Sequence, residues 1–268
     1  MREELKGVVS NRYVAMIDIL GFARLVETSP LMEIVKKTEM ILRRWPESIY
    51  LAWVVINDDG SLGPGYSSSF GRAYFSDTLI LWTRPIDETF EYRYQEECCF
   101  FQTVGQIICT GFLNGMPLRP GIGFGECYID ETKRTYLGRA IVNAYKVEKI
   151  QEWIGGALHP NCPAVEQMNQ GEAYLDCVVK YSVPVKAGSE FNLEFALDWT
   201  VLAQAKGPWS QSYRDNIERR FLNYLGLGLP PDGGSKYKNA RTFAEQQIAK
   251  GLASGKFTAW NPANDSSE

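Results

Sequence analysis

The chain has 268 residues, 45% hydrophobic and 22% charged, a composition that suits one sizeable globular core rather than a disordered or fibrous protein. Its formal charge of -4 and pI near 5.3 give no long-range attraction for nucleic acid or an anionic membrane. No apolar run reaches spanning length, and MREELKG at the start has no signal-peptide core, so the expectation is a cytoplasmic protein that binds neither membrane nor nucleic acid. The six cysteines are scattered, with Cys98-Cys99 adjacent and no CxxC pair, which reads as reduced core residues rather than a zinc site. His159 is the single histidine, so histidine-rich metal sites are excluded.

In chain order, Tyr13–Phe22 (YVAMIDILGF) predicts a strand buried on both faces, with Asp18 in the middle of an almost unbroken apolar run. An ionised carboxylate there needs a cationic partner, which a metal ion would supply and an arginine would supply equally well. Gly21-Phe22 turns the chain into a helical pattern whose first N–H groups can receive phosphate. That helix runs over residues 23–44 with a break at Ser29-Pro30, and Leu31, Ile34, Val35, Thr38, Ile41 and Leu42 fall on one face. After the apolar run Leu51–Ile56, NDDGSLGPGYSSS predicts an exposed loop. FGRAYFSDTLILW then predicts a β-hairpin turning at Ser76-Asp77.

Residues 88–114 carry helical spacing, and Leu118–Asp130 is a strand with Gly121, Gly123 and Gly125 at alternate positions. Those glycines leave one face bare, so substrate or a second subunit can approach it closely. Arg139–Ile154 predicts an amphipathic helix, 160–169 a short one, and Leu175–Val185 with Asn192–Thr200 a strand pair. Tyr213–Leu225 reads as helix, GLPPDGGS as a linker and Asn239–Lys250 as a last helix. The fold class is therefore α+β, an antiparallel sheet with flanking helices. A core spans residues 1–205, followed by a helical C-terminal extension over 206–268.

Three stretches in this order resemble the class III nucleotide cyclases: IDILGF, YFSDTLILW, and LRPGIGFGE followed by YLGRAIVNAYKVEK, together covering residues 13–154. The resemblance implies that family's ferredoxin-like, palm-type fold and two Mn²⁺ or Mg²⁺ ions per site, held by Asp18, Asp77 and the Ile19 carbonyl. Such ions lower the pKa of the ribose 3′-hydroxyl and neutralise a triphosphate. Gly21 and Phe22 match the phosphate turn, Arg119 the arginine that holds the triphosphate tail, and Lys146 the transition-state arginine of the helix. The family's asparagine falls on Val142, so Asn143 takes that part only through a shifted register.

Ala73 stands where the family carries its first purine reader and Thr135 where it carries the second. Arg72 and Tyr74 flank Ala73 and are expected to narrow the pocket around a smaller base. With the enlarged segment between the two acids and the long tail, this looks like the stand-alone pyrimidine cyclases of the bacterial anti-phage cCMP and cUMP signalling system. The expectation is a homodimeric enzyme converting UTP or CTP to the 3′,5′-cyclic monophosphate as a second messenger. The alternatives are a degenerate nucleotide-binding regulatory module, a purine cyclase, and a palm-type polymerase relative, the last disfavoured by the acidic charge balance.

Overall fold

The structure, a computed structural model, describes residues 7–44, 52–53, 66–67, 69–87, 89–171, 177–202 and 234–254. Its strands are β1 (Val8–Ile19), β2 (Ala52–Trp53), β3 (Tyr66–Ser67), β4 (Gly71–Phe75), β5 (Thr78–Trp82), β6 (Leu118–Asp130), β7 (Thr135–Gly138), β8 (Ala157–Leu158), β9 (Val178–Val183) and β10 (Leu193–Leu197). The helices are α1 (Phe22–Thr28), α2 (Leu31–Thr38, continued by a π-helical turn Glu39–Arg44), α3 (Arg93–Leu113), α4 (Arg139–Ile150), α5 (Pro163–Asn169), α6 (Trp199–Leu202) and α7 (Gly234–Ala253).

The fold is α+β: an eight-stranded sheet in the order β4-β5-β1-β6-β8-β10-β9, with β7 paired to β6 and helices flanking it. β2 and β3 form a separate pair. The sheet is mixed rather than wholly antiparallel, because Gly121-Ile122 of β6 run parallel to Ala157-Leu158 of β8. A chain that has just crossed the sheet in α4 returns to β6 in β6's own direction, as helical crossovers do.

β1 lies inside the sheet with both edges paired, to β5 and to β6, and its two faces are covered by two separate apolar clusters. Tyr13, Ala15, Ile17 and Ile19 face a core built with Phe100, Phe101, Val104 and Ile108 of α3. Tyr13 packs edge-on to Phe101 at 5.4 Å between ring centroids and passes its hydroxyl to the Ala164 amide, which donates to it at 3.1 Å. Val14 and Met16 point the other way, into a smaller cluster with Trp82, Cys127, Ala140 and Ala144.

The glycines of β6 face α4. A Cβ on Gly121 would run into the Ala144 carbonyl oxygen and the Glu148 amide, and one on Gly123 into the Ala140 carbonyl, with Asn143 Cβ at 2.8 Å. The expectation that the bare face awaits substrate or a second subunit is thereby corrected: the chain's own α4 fills it, backbone against backbone. α4 also stops at Ile150 rather than at residue 154, since Gln151 is extended and its side chain donates to the Pro120 carbonyl and accepts from Trp153.

α7 closes over the far part of the same core. Phe243 sits 4.9 Å from Trp153 and 4.8 Å from Tyr181, and Asn239 donates to the Glu152 carbonyl at 2.7 Å. The six cysteines are free thiols, all buried. Among the described residues no helix is long and apolar enough to cross a membrane. The helix read at Tyr213–Leu225, residues 228–233 of the GLPPDGGS linker and most of Leu51–Ile56 lie outside the described residues. Gly234 and Ser235 of that linker already belong to α7, which starts five residues before the expected Asn239.

Candidate active site

Asp18 stands one residue before the end of β1, opposite Thr78 of β5 on one side and Arg119 of β6 on the other. The β4–β5 hairpin turns through Ser76 and Asp77 alone, with Phe75 paired to Thr78. Ser76 takes φ 55, the positive value that a tight two-residue hairpin requires at its first central position. That turn sets Asp77 beside the partner of Asp18. Beyond Ile19 the chain turns through Leu20 and Gly21, and Gly21, whose φ of 75 suits glycine, starts α1 with no side-chain cap. Two acids and an uncapped helix start thus meet at one end of the sheet. The Ile19 side chain is buried in the main core, which leaves its backbone carbonyl as the group it can offer.

Arg119, 5% exposed, supplies the cation that the buried strand predicts for Asp18: its Nη2 lies 3.7 Å from the Asp18 carboxylate. Its main partner is Glu148 of α4, which accepts from Arg119 Nε at 3.0 Å and from Nη2 on the same oxygen. Arg119 Nη1 donates to the Gln151 carbonyl at 3.3 Å, and Lys149 Nζ lies 3.5 Å from the other Glu148 oxygen. Burial, then the Glu148 charge, then the Asp77 charge push the Asp18 carboxyl up to about 6, against the pull of Arg119 and Lys149. Negative charge is therefore in excess around Asp18.

Glu148 was absent from the sequence expectations, although a signal for it exists. Ala140, Ala144 and Val147 mark the inner stripe of α4, and Glu148 follows Ala144 by four, so an acid falls on the buried face.

The remaining expected residues do not gather at this point. Asn143 is buried against β6 and its amide donates to the Phe124 carbonyl at 3.3 Å, whereas Val142 and Tyr145 are turned outward. Lys146 reaches Glu190 at 2.7 Å. Asn143 packs at Gly123, which pairs with Val14, four residues or about 13 Å along β1 from Asp18.

Thr135 pairs with Asp130 at the opposite end of β6 from Arg119. Strand alternation also separates Arg72 and Tyr74 from the acid: Phe75 and Ala73 share the row of Asp18 through Thr78 and Ile80, so their neighbours leave the sheet on the other face. Arg72 and Tyr74 further line two different cavities, Tyr74 with Phe22, Leu31 and Val35, and Arg72 with Arg12 and Arg84. The expected base pocket flanked by both is not assembled within one chain. His159 accepts from the Asn161 amide at 3.1 Å and stacks edge-on to Phe191.

The donors at Asp18, Asp77 and Ile19 are hard oxygens, and the surplus negative charge suits a divalent cation such as Mg²⁺ or Mn²⁺. Among the described residues no group of three or more side chains has metal-holding geometry, so such an ion would rest on two carboxylates, a backbone carbonyl and substrate oxygens.

No family profile matches the sequence, and no curated protein matches it. Among solved structures, the chain is similar to the adenylyl cyclase CyaB from P. aeruginosa, at 14% identity over 72% of this chain and 95% of that one, TM-score 0.46. It is similar to the catalytic core of a rhodopsin-guanylyl cyclase with converted specificity, in complex with ATPalphaS, at 11% identity over 71% and 96% of the two chains, TM-score 0.43. An adenylate/guanylate cyclase/hydrolase from Silicibacter pomeroyi follows, at 13% identity over 70% and 96%, TM-score 0.40.

Proposed function

We propose that this chain is a metal-dependent nucleotide cyclase that converts UTP or CTP to the 3′,5′-cyclic monophosphate and diphosphate. The observation that carries the reading is the meeting of Asp18 and Asp77 at one sheet end, close enough for the Asp77 charge to raise the Asp18 carboxyl, beside the Gly21-Phe22 turn. Asp18, Asp77 and the Ile19 carbonyl hold the metal, and two bound ions would lower the pKa of the 3′-hydroxyl and neutralise the triphosphate. The N–H groups of Gly21 and Phe22 receive phosphate oxygens. Arg119, already beside Asp18 and held by Glu148, meets the triphosphate charge.

Asn143 packs about 13 Å along β1 from the Asp18 of its own chain, and Lys146 is turned to Glu190 instead. In this reading they serve the site of a second copy in a two-fold dimer, and exposed Leu137, Val142 and Tyr145 supply an apolar contact face beside them. Pyrimidine choice rests on the absence of a purine reader: Ala73 is a methyl group packed with Ile80, Met16 and Val14. The role as a second messenger in anti-phage defence follows from the sequence resemblance. One observation favours a non-catalytic nucleotide-binding module instead: the Asn143 amide is spent on the Phe124 carbonyl.

The test is incubation of the purified protein with each of the four nucleoside triphosphates and Mn²⁺, with products identified by mass. A cyclic pyrimidine monophosphate is expected, lost in Asp18→Asn and in Asp77→Asn. Wild-type turnover in either variant at saturating metal overturns the two-acid site. A purine product overturns the base assignment, and nucleotide binding without product favours the non-catalytic module.

A further inference from the structure

The C-terminal helix α7 carries a cation on its inner face. Ala240, Phe243 and Gln247 are buried at spacings of three and four, and the same stripe carried back by four residues reaches Lys236. Lys236 is half-buried, while Lys238, on the other side of the helix, is exposed. A lysine at a stripe position carries its ammonium toward the body of the protein, where a charge is costly unless something negative meets it.

The packing of α7 shows where that ammonium lies. Phe243 rests on Trp153 at 4.9 Å between ring centroids, and Asn239, about one turn earlier, donates to the Glu152 carbonyl at 2.7 Å. The helix therefore passes back along residues 153 and 152, and Lys236, nearly one turn further back, comes to Gln151 and its neighbours. Gln151 bridges to Val185, and its carbonyl accepts from Arg119 Nη1 at 3.3 Å. Lys236 thus stands at the end of the sheet that holds Arg119.

The electrostatics agree with this placement. Burial, then the Arg119 charge, lower the Lys236 ammonium from its ordinary value; Lys186 adds to the effect, and Glu152 and Glu148 oppose it. No hydrogen bond contributes, and among the described residues no carboxylate lies within ion-pair distance of Lys236. The cations that act on Asp18 are Arg119 and Lys149 rather than Lys236, so the ammonium stands beyond Arg119 as seen from the acids. An elongated anion with one end on a metal at Asp18 and Asp77 would pass Arg119 and end at Lys236. Lysine suits that end, being a point charge with three donors for phosphate oxygens.

We propose that Lys236 binds the terminal phosphate of the triphosphate held at Asp18, Asp77 and Arg119, an assignment that rests on the nucleotide reading of that site and makes α7 part of it. The probe is inorganic triphosphate with excess Mg²⁺, titrated calorimetrically into the full chain.

One saturable site per chain is expected. Lys236→Met should weaken it about tenfold, the loss of one charged hydrogen bond. Methionine keeps the length of the side chain and suits an inner helix position, so the urea midpoint of this variant should be no lower than that of the wild type. Lys238→Met removes the same charge from the exposed side of the helix and should leave the affinity unchanged. Wild-type affinity in Lys236→Met, an equal loss in Lys238→Met, or no saturable binding by the wild type overturns the proposal. So does a loss in Lys236→Met that comes with a lowered urea midpoint, which would make Lys236 a packing residue. Turnover with the four nucleoside triphosphates keeps the two readings apart. Cyclic product together with unchanged triphosphate binding in Lys236→Met defeats the assignment of Lys236 alone, whereas Lys236-dependent binding without any product defeats the cyclase reading alone.

Discussion

The two faces of the β1–β6 pair are covered in opposite ways. On one, large side chains meet large side chains: Tyr13, Ile17 and Ile122 of the strands against Phe100, Phe101 and Ile108 of the long helix α3. On the other, side chains are withheld, and α4 lies directly on Gly121 and Gly123. The first face can exchange one methyl for another with modest adjustment, because its atoms are side-chain atoms in a common apolar space. The second has no such freedom, because the neighbour of each glycine is backbone. What this rigidity obtains is position: α4 is drawn close enough for Glu148 to grip Arg119, and Arg119 in turn stands beside Asp18. One face supplies cohesion, and the other supplies the electrostatics of the site.

The sharpest way to break this contrast is to remove the charge that α4 delivers. Glu148 is 1% exposed and shares its carboxylate with an Arg119 that is 5% exposed. Glu148→Ala should cost about 4 kcal/mol in urea unfolding, because among the described residues it leaves the buried guanidinium with Asp18 at 3.7 Å and the Gln151 carbonyl. Replacing both partners by methionine should cost much less than the sum of the single changes, since no unpaired charge is then left inside. Strict additivity in that cycle would show that the pair does not act as a unit.

Next in size is the glycine face itself. Gly121→Ala should cost about 3 kcal/mol, since a single methyl must push the α4 backbone away at Ala144 and Glu148. Ile17→Val, a methylene change on the opposite face of the neighbouring strand, should cost about 1 kcal/mol. Equal midpoint shifts for the two variants would dissolve the distinction between the faces.

Much of this architecture was legible in advance. The hairpin turning at Ser76-Asp77, the helix break at Ser29-Pro30 and the glycine-punctuated strand each carry a strong local pattern and stand where the pattern put them. The strand with its lone acid, read as Tyr13–Phe22, runs from Val8 to Ile19 because its pairing with β6 continues past the apolar run. What local pattern does not carry is the identity of the neighbour. Missing side chains at Gly121 and Gly123 announce a close approach, but not that the approaching body is a helix from the same chain. Arg119 and Glu148 are 29 residues apart, and only the docking of α4 makes them partners.

The face of Arg72 and Tyr74 was within reach of sequence reasoning. Counting back from a two-residue turn pairs Phe75 with Thr78, and alternation then assigns Ala73 to the Asp18 row and its two neighbours to the other. The resemblance drew attention to positions near the reader rather than to the side from which each projects.

The smallest expected effect sharpens the electrostatic half of the comparison, and it concerns pH. Asp18 is held up to about 6, first by burial, then by Glu148 and Asp77. Between the ordinary carboxylate range and that value the folded chain binds more protons than the unfolded chain, so stability falls as pH rises through the window. Above it Asp18 is ionised in the fold at a net cost. Asp18→Asn cannot ionise, and should therefore be more stable than the wild type above about pH 6, with the gap closing as pH falls toward the ordinary carboxylate range. Urea midpoints of both proteins from about pH 4 to about pH 8, with a chelator present, measure the difference. Adding Mn²⁺ at the upper end should reverse its sign, because a cation bound only to the folded wild type stabilises that protein alone. If the wild type instead gained on the variant as pH rose without metal, Arg119 would outweigh burial, Glu148 and Asp77 together, and Asp18 would be a structural ion-pair partner with no surplus charge to offer a cation.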